Sequence, residues 1–123
     1  TGQVSTARDI LTLSRAYILD FPEALRIHSI QEYTYRGITQ QNSNTLIKKH
    51  SGVDGLKTGF VRASGFHLVA TAKRENVRLI AVVMGEKSIK IRENDALHLL
   101  EEGFRRSMKK EKVPLPNKKL MIP

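Results

Sequence analysis

The sequence has no cysteine and no tryptophan, and its only aromatic residues are three tyrosines and four phenylalanines. The lack of cysteine excludes disulfides, thiolate catalysis and cysteine-based metal sites, and it suits an oxidising compartment. No window approaches the roughly 18 apolar residues that a membrane helix requires. The histidines are far apart and lack the H-E-x-x-H spacing of metalloproteases, so we expect no metal and no other cofactor. They are His28, His50, His67 and His98.

The length of 123 residues fits one modest domain or a piece of a larger one. The chain begins at Thr1 rather than at a methionine, and no basic and then apolar leader follows. We therefore expect a mature form or an excised piece of a longer chain.

The formal charge of +9 raises the possibility of an anionic partner. One alternative is therefore a small basic module that binds an anionic polymer or nucleic acid through its C-terminal helix. Few aromatic residues accompany the basic cluster, which argues against stacking on single strands, and we expect no nucleic-acid partner. Much of the charge lies near the C-terminus, at Arg105, Arg106, Lys109, Lys110, Lys112, Lys118 and Lys119.

Apolar periodicity after Ser5 and Thr6 predicts a helix whose first turn is capped by a hydroxyl and which ends before Pro22. Aromatic and β-branched residues on either side of Arg36 and Gly37 then predict a β-hairpin. Residues 51–55 are interpreted as a turn because of their small and polar side chains.

Residues 66–73 and 77–84 predict an antiparallel strand pair, and the unbroken apolar run of the second indicates a central strand. Residues 91–109 repeat apolar side chains at helical spacing, and Pro114 and Pro116 indicate a linker. The fold class predicted is α+β, with helices packed on an antiparallel sheet.

The triplet Lys57-Thr58-Gly59 is the main candidate site. An ammonium, a hydroxyl and a residue without a side chain at a strand edge suit a carboxylate. A phosphate loop is excluded because Leu56 separates Gly55 from the lysine and because a strand follows, not a helix. The same triplet closes the motif set of active-site serine enzymes that handle penicillins, together with S-x-x-K and S-D-N.

Neither companion motif is found in a suitable place. Ser107 and Lys110 satisfy S-x-x-K formally, but they lie near the end of a predicted helix in a basic segment. The nearest approach to S-x-N is Ser43, which is followed by Asn44 and Thr45. No G-x-S-x-G elbow is present, and His67 is interpreted as a structural residue with satisfied ring nitrogens.

Arg92 opens the last predicted helix, after the strand that ends near Gly85. Its guanidinium could reach around the sheet edge toward a carboxylate bound near Thr58. From its position alone, however, the favoured interpretation is a solvated residue or one paired with Glu93 or Asp95.

Taken together, the chain resembles the low-molecular-mass penicillin-binding proteins, the serine-type D-alanyl-D-alanine carboxypeptidases of the peptidase S11 family. The resemblance covers roughly residues 3–108. The segments that carry it are Ser5-Thr6-Ala7-Arg8-Asp9, Asn42-Ser43-Asn44, residues 53–59, Ser64-Gly65-Phe66, residues 78–85 and Arg92-Glu93.

The resemblance implies a serine acyl-transfer enzyme that removes the terminal D-alanine from peptidoglycan stem peptides. Lys57 would be catalytic and substrate-binding, Thr58 would hydrogen-bond the terminal carboxylate, and Gly59 would let the strand lie against the substrate. A backbone amide near Val61 would help to stabilise the oxyanion, and Arg92 would assist carboxylate binding. Phe60 is a departure, because some relatives carry a polar residue such as histidine there.

The resemblance also implies a partial β-lactamase/transpeptidase-like domain. Residues 1–112 would be the C-terminal part of the catalytic domain, and residues 113–123 would lead to a second domain. The nucleophile would lie outside this chain, which alone would be inactive. Its partners would be the missing part of the domain or another copy, with peptidoglycan pentapeptide and β-lactams as ligands of the intact enzyme. The resemblance implies export, to the periplasm or the outer face of the cytoplasmic membrane.

Overall fold

The chain combines helices with antiparallel strands, and the computed structural model describes residues 4–50 and 52–110. The predicted α+β class is confirmed. The predicted linker at residues 113–123 lies outside the described residues, as do Lys112, Lys118 and Lys119, so the domain boundary stays a prediction. The helices are α1 (Ala7–Asp20), α2 (Leu25–His28), α3 (Leu46–Lys49) and α4 (Ile89–Lys110), and the strands are β1 (Glu32–Tyr35), β2 (Ile38–Gln41), β3 (Val53–Val61), β4 (Gly65–Arg74) and β5 (Val77–Glu86).

Helix α1 begins and ends where the local signals predict. The Thr6 hydroxyl accepts a hydrogen bond from the backbone N–H of Asp9 at 3.1 Å, which satisfies one of the unpaired amides of the first turn. The helix ends at Asp20, just before a short 3₁₀ turn, Pro22–Ala24. Proline at that position cannot continue the α-helical hydrogen bonds.

The hairpin of β1 and β2 turns at Arg36 and Gly37, as predicted. Both residues have positive φ, 51° and 79°, which is the conformation of the two-residue turn whose twist matches the flanking strands. All residues of the two strands are exposed. The hairpin is a two-stranded sheet of its own, separate from the larger one.

The larger sheet has the order β3-β4-β5, with both pairs antiparallel. Two predictions about it were wrong. Residues 53–55 are not a turn, because β3 already begins at Val53. The glycines and polar residues of β3 interrupt the apolar alternation by which a strand is recognised in a sequence. Strand β5 is not central within the described residues, since β4 lies between β3 and β5.

The apolar run of β5 has a different cause from the predicted central position. Helix α4 packs on β4 and β5, and α1 also contacts β5, so helices cover a strand that lies at the sheet edge. The core between sheet and helices consists of Leu46, Ile47, Val53, Leu68, Ala70, Ala72, Leu79, Ala81, Val83, Ala96, Leu100 and Phe104.

A groove of about 350 Å³ follows β5 between α1 and α4, and its lining is mainly apolar. We call it the β5 groove; its walls include Leu11 of α1, Ile80 and Val82 of β5, and Leu99 of α4. Among the helices of the described ranges, none combines the length and apolarity needed to cross a membrane.

Candidate carboxylate-binding site

The triplet Lys57-Thr58-Gly59 lies inside β3, and so it does not lead directly into β4 as the sequence suggested. Its three residues pair with Val69, Leu68 and His67 of β4. The other edge of β3 has no strand partner in the part of the chain that the structure describes. The triplet is therefore at a sheet edge, where a peptide could add as a further strand.

The Lys57 side chain is exposed at this edge, and its Nζ donates a hydrogen bond to the backbone carbonyl of Thr58. Because an ammonium has three N–H groups, this contact leaves donors for a ligand. Thr58 and Gly59 are half-buried. The structure thus presents a cation beside a hydroxyl and a bare stretch of backbone.

The glycine of the triplet is not required by packing inside this chain. A Cβ on Gly59 would meet only His67 atoms, at 3.9 Å, which is ordinary contact. A Cβ on Gly55 would lie 2.9 Å from Cγ2 of Thr71 and 3.2 Å from Cδ2 of Leu25. Gly55 is therefore explained by the fold, whereas the role of Gly59 toward a ligand stays a prediction.

Beyond the triplet, Phe60 is 57% exposed, and its ring centroid lies 4.5 Å from that of Phe66 across the strand pair. Val61 is the last residue of β3, pairs with Gly65 and is exposed. The assignment of an amide near Val61 to the oxyanion stays a prediction.

Arg92 is buried, with only 5% of its surface exposed, so the interpretation as a solvated residue was wrong. Its Nη1 donates to the carbonyl oxygens of Gly59 at 3.3 Å and His67 at 3.2 Å, and its guanidinium lies 5.7 Å from the Phe66 ring centroid. Burial lowers the pKa of Arg92, while the charge of Glu93 acts in the opposite direction.

The guanidinium thus supports the triplet from the α4 side of the sheet. Pairing with Glu93 is not what satisfies it, because the carboxylate of Glu93 instead accepts from Lys49 of α3 at 3.1 Å. The prediction that Arg92 assists a bound carboxylate stays a prediction.

His67 has both ring nitrogens satisfied, as expected from sequence. Its Nδ1 accepts from the Gly85 N–H at 3.0 Å, and its Nε2 lies 3.1 Å from the Ser64 hydroxyl. Sequence reasoning missed these two partners, since no motif links residues that are 18 and 3 positions away.

A second group that the sequence did not predict ties β3 to β5. The Arg78 guanidinium donates to both Asp54 carboxylate oxygens, at 2.7 and 2.9 Å, and to the Thr71 hydroxyl at 3.1 Å. Bidentate pairs of this kind fix geometry as well as charge. They anchor β3 at Asp54, three residues before the triplet begins.

The formal S-x-x-K segment lies far from the triplet. Ser107 is in the last turns of α4, roughly 22 Å along the helix from Arg92 at 1.5 Å per residue. It is half-buried. Helix geometry therefore separates this serine from the candidate site.

The basic character of the C-terminal helix is partly neutralised within the described residues. Arg105 and Arg106 both contact the carboxylate of Glu102, and Arg74 pairs with Glu101. These ion pairs weaken the alternative of a basic module for anionic polymers. No cluster of three or more residues able to hold a metal ion occurs in residues 4–50 and 52–110.

Comparison with known proteins places the chain in a family. The family model of D-alanyl-D-alanine carboxypeptidases, Peptidase S11, matches residues 1–88. The chain is 46% identical over 105 residues to the D-alanyl-D-alanine carboxypeptidase DacC of Escherichia coli, covering 85% of this chain and 26% of DacC.

Solved structures agree with this relationship. Penicillin-binding protein 6B of Escherichia coli superposes with a TM-score of 0.78 at 48% identity, covering 85% of this chain and 33% of that protein. Penicillin-binding protein D2 of Listeria monocytogenes in its ampicillin-bound form gives 0.77 at 35% identity, covering 84% and 43%. The chain belongs to the peptidase S11 family of D-alanyl-D-alanine carboxypeptidases. It spans about a quarter of the length of the curated relatives it matches.

Proposed function

We propose that this chain forms the carboxylate-binding wall of a serine D-Ala-D-Ala carboxypeptidase that removes the terminal D-alanine from peptidoglycan stem peptides. One observation carries the proposal: Lys57, Thr58 and Gly59 lie on a strand whose outer edge has no partner within the described residues. Membership of the carboxypeptidase family gives this edge its chemical context.

In the proposed complex, the peptide adds to β3 as an extended segment, held by main-chain hydrogen bonds. Its terminal carboxylate accepts from the Thr58 hydroxyl within the field of the Lys57 ammonium, where charge-assisted hydrogen bonds are strongest. Gly59 lets the substrate approach the backbone, because no side chain intervenes. Arg92 supports this strand by donating a hydrogen bond to the Gly59 carbonyl oxygen, and it adds positive charge.

The proposed reaction is acyl transfer to a serine that lies outside this chain. That serine attacks the carbonyl of the penultimate D-alanine, the terminal D-alanine leaves, and water then hydrolyses the acyl-enzyme. Lys57 supplies positive charge and a proton-relay contact to the serine of the S-x-N motif, which also lies outside this chain. A backbone amide near Val61 stabilises the oxyanion, a contribution of about 3 kcal/mol for one such donor.

The same site is proposed to accept β-lactams in the intact protein, supported by the ampicillin-bound form of the Listeria relative. Phe60 is a determinant of access, because its exposed ring follows the triplet directly. The intact protein is proposed to act outside the cytoplasmic membrane, where peptidoglycan lies. The missing part of its catalytic domain, or another copy of the chain, is proposed to cover the β5 groove.

Labelling with a fluorescent penicillin tests the proposal. The intact protein that carries this chain should be labelled covalently, and the isolated 123-residue chain should not, because the nucleophile lies elsewhere. Losing the nucleophile of a serine protease costs about a millionfold in kcat. Mass spectrometry of the labelled peptide should therefore locate the adduct outside residues 1–123. An adduct on any residue of this chain contradicts the proposal.

A matched pair of variants tests the assignment of the triplet. Thr58→Val in the intact protein removes the hydroxyl but keeps the shape, and it should lower the acylation rate on the order of tenfold or more, the loss of one good hydrogen bond to charge. Thr39→Val makes the same change on the exposed hairpin and should have no effect. Equal rates for both variants would remove Thr58 from the site.

A further inference from the structure

A β-bulge interrupts the pairing of β4 with β5 next to the triplet. Phe66 pairs with Glu86, but Leu68 pairs with Val83, so Met84 and Gly85 together oppose His67. Such a bulge leaves one residue out of the ladder of strand hydrogen bonds. Gly85 has a φ of +77°, which is strained for residues with a side chain.

The His67 ring provides a hydrogen-bond acceptor for the Gly85 amide at this bulge. Nδ1 accepts from the Gly85 N–H at 3.0 Å, so Nδ1 carries no proton, and the ring proton is on Nε2. Nε2 then donates to the Ser64 hydroxyl at 3.1 Å. Only a neutral imidazole in this tautomer makes both bonds at once.

His67 is also directly opposite Gly59 in the pairing of β4 with β3. The carbonyl oxygens of these two residues share the same Arg92 nitrogen. One residue therefore connects the bulge of β5 and the β3–β4 turn to the last residue of the triplet.

We propose that His67 is a positioning residue, whose neutral ring fastens the β5 bulge and the β3–β4 turn so that Gly59 is held in place for the substrate. The inference rests on the proposed function of β3 as the carboxylate-binding strand. A catalytic role is not involved, since the ring acts through its contacts with the Gly85 amide and the Ser64 hydroxyl of the chain.

Protonation of the ring adds a proton to Nδ1. This nitrogen can then no longer accept a hydrogen bond from the Gly85 N–H, because it has become a donor itself. Among the charged groups of the surrounding elements, Arg92 of α4 donates to the His67 carbonyl oxygen, and Glu86 of β5, next to Gly85, interacts with Asp95 of α4. Lys57 on β3 and Arg62 in the β3–β4 turn are further cations. We expect the bulge bond to be lost when the ring becomes charged.

Nitrogen-15 NMR of the 123-residue chain tests the geometry without any reference to activity. At neutral pH the imidazole shifts should show a proton on Nε2 and none on Nδ1. On acidification, the Gly85 amide shift should follow the titration of the His67 ring. A proton on Nδ1 at neutral pH, or a Gly85 amide that ignores the ring, overturns the inference.

Two substitutions in the intact protein test the positioning role. The Oδ1 atom of His67→Asn occupies about the place of Nδ1 and can accept from Gly85 without titrating, whereas His67→Leu makes no such bond. Penicillin acylation should fall about tenfold in His67→Leu, within the range that a small misplacement of reacting groups costs. His67→Asn should stay within about threefold of the parent and should lose the part of the pH profile that follows the ring.

His98→Asn is the control, because it removes another histidine from an exposed position on α4. It should leave the acylation rate and its pH profile unchanged. If His67→Asn is as slow as His67→Leu, or keeps the pH dependence of the parent, His67 has no positioning role. If penicillin labels none of these proteins, the proposed function fails, while the NMR result still decides the geometry around His67.

Discussion

The guanidinium of Arg92 donates to the carbonyl oxygen of Gly59 at 3.3 Å, although 33 residues separate the two. This bond joins the first turn of α4 to the last residue of the triplet. Helix α4 packs on β4 and β5 rather than on β3, so the arginine extends the reach of the helix to the site strand. The shape of β3 at the candidate site therefore depends on a side chain from a different element.

Replacing Arg92 with methionine should destabilise the chain by about 3 kcal/mol, because two part-buried carbonyl groups each lose a hydrogen bond from a charged donor, at about 1.5–3 kcal/mol each. The methionine keeps most of the packing volume but not the hydrogen bonds to Gly59 and His67. Urea denaturation followed by circular dichroism measures the free energy of unfolding.

The matched control is Arg62→Met, in the exposed β3–β4 turn. This change should alter the free energy of unfolding by less than about 0.5 kcal/mol, as is usual for surface sites. Equal destabilisation by the two substitutions would show that the loss of charge is responsible, rather than the loss of the Arg92 hydrogen bonds to Gly59 and His67.

Alanine at the two glycines of β3 should separate stability from substrate binding. Gly55→Ala should cost about 1–3 kcal/mol through overpacking against Thr71 and Leu25. Gly59→Ala should change the free energy of unfolding by less than about 0.5 kcal/mol, since its Cβ meets only ordinary contacts. In the intact protein, however, Gly59→Ala should slow penicillin acylation, because the methyl group enters the path of the ligand.

Thermal unfolding and acylation rates of the two variants decide this prediction together. A Gly59→Ala protein that is both stable and fully active would mean that the substrate does not approach this face of β3. A strongly unfolded Gly59→Ala protein would instead show a packing requirement that the neighbouring His67 atoms do not indicate.

Local signals were sufficient for the elements whose boundaries are set by neighbouring residues. Thr6 and Pro22 delimit α1, and Arg36 with Gly37 forms the hairpin turn, because each acts within a few positions of itself. Strand β3 was not predicted, and its first residues were interpreted as a turn because Asp54 and Gly55 are turn formers. The partner of Asp54 is Arg78, which lies 24 residues away and is invisible to a local pattern.

The candidate site shows the same division. The triplet could be recognised because its three residue types are adjacent, but the burial of Arg92 could not be predicted. A charged residue at a helix start is normally solvated, and the acceptors that compensate its burial come from strands 33 and 25 residues earlier. The roles of Ser64 and Gly85 at His67 depend on a bulge, which only the pairing of complete strands determines.

The ion pair of Arg74 with Glu101 should make stability depend on pH in the acidic range. A side-chain hydrogen bond from Arg74 lowers the pKa of Glu101, and the charges of Arg74 and His50 act in the same direction, while desolvation opposes them. Because the folded pKa is the lower one, the stabilisation is present above the unfolded pKa and is lost as the pH falls through the folded value. Both side chains are about half exposed and screened by solvent, so the contribution should be about 0.2–1 kcal/mol.

Glu101→Gln should remove this contribution at neutral pH and leave stability below the folded pKa unchanged. The Arg74 guanidinium also lies 4.7 Å from the ring centroid of Phe104, a contact that the substitution keeps. Denaturation curves at several pH values from neutral to strongly acidic compare the two proteins. A constant difference between them across that range would assign the effect to packing rather than to ionisation.

The β5 groove should make the isolated chain associate. Strand β5 is ten residues long, forms one edge of the sheet within the described residues and has an apolar centre, features that favour pairing with another strand. Light scattering after size exclusion should show a dimer or larger species at micromolar concentration. Ile80→Lys in the groove should shift the chain toward the monomer, whereas Leu13→Lys on the exposed side of α1 should not. A dilute chain that is a stable monomer without any substitution would show that α1 and α4 already cover β5 well enough.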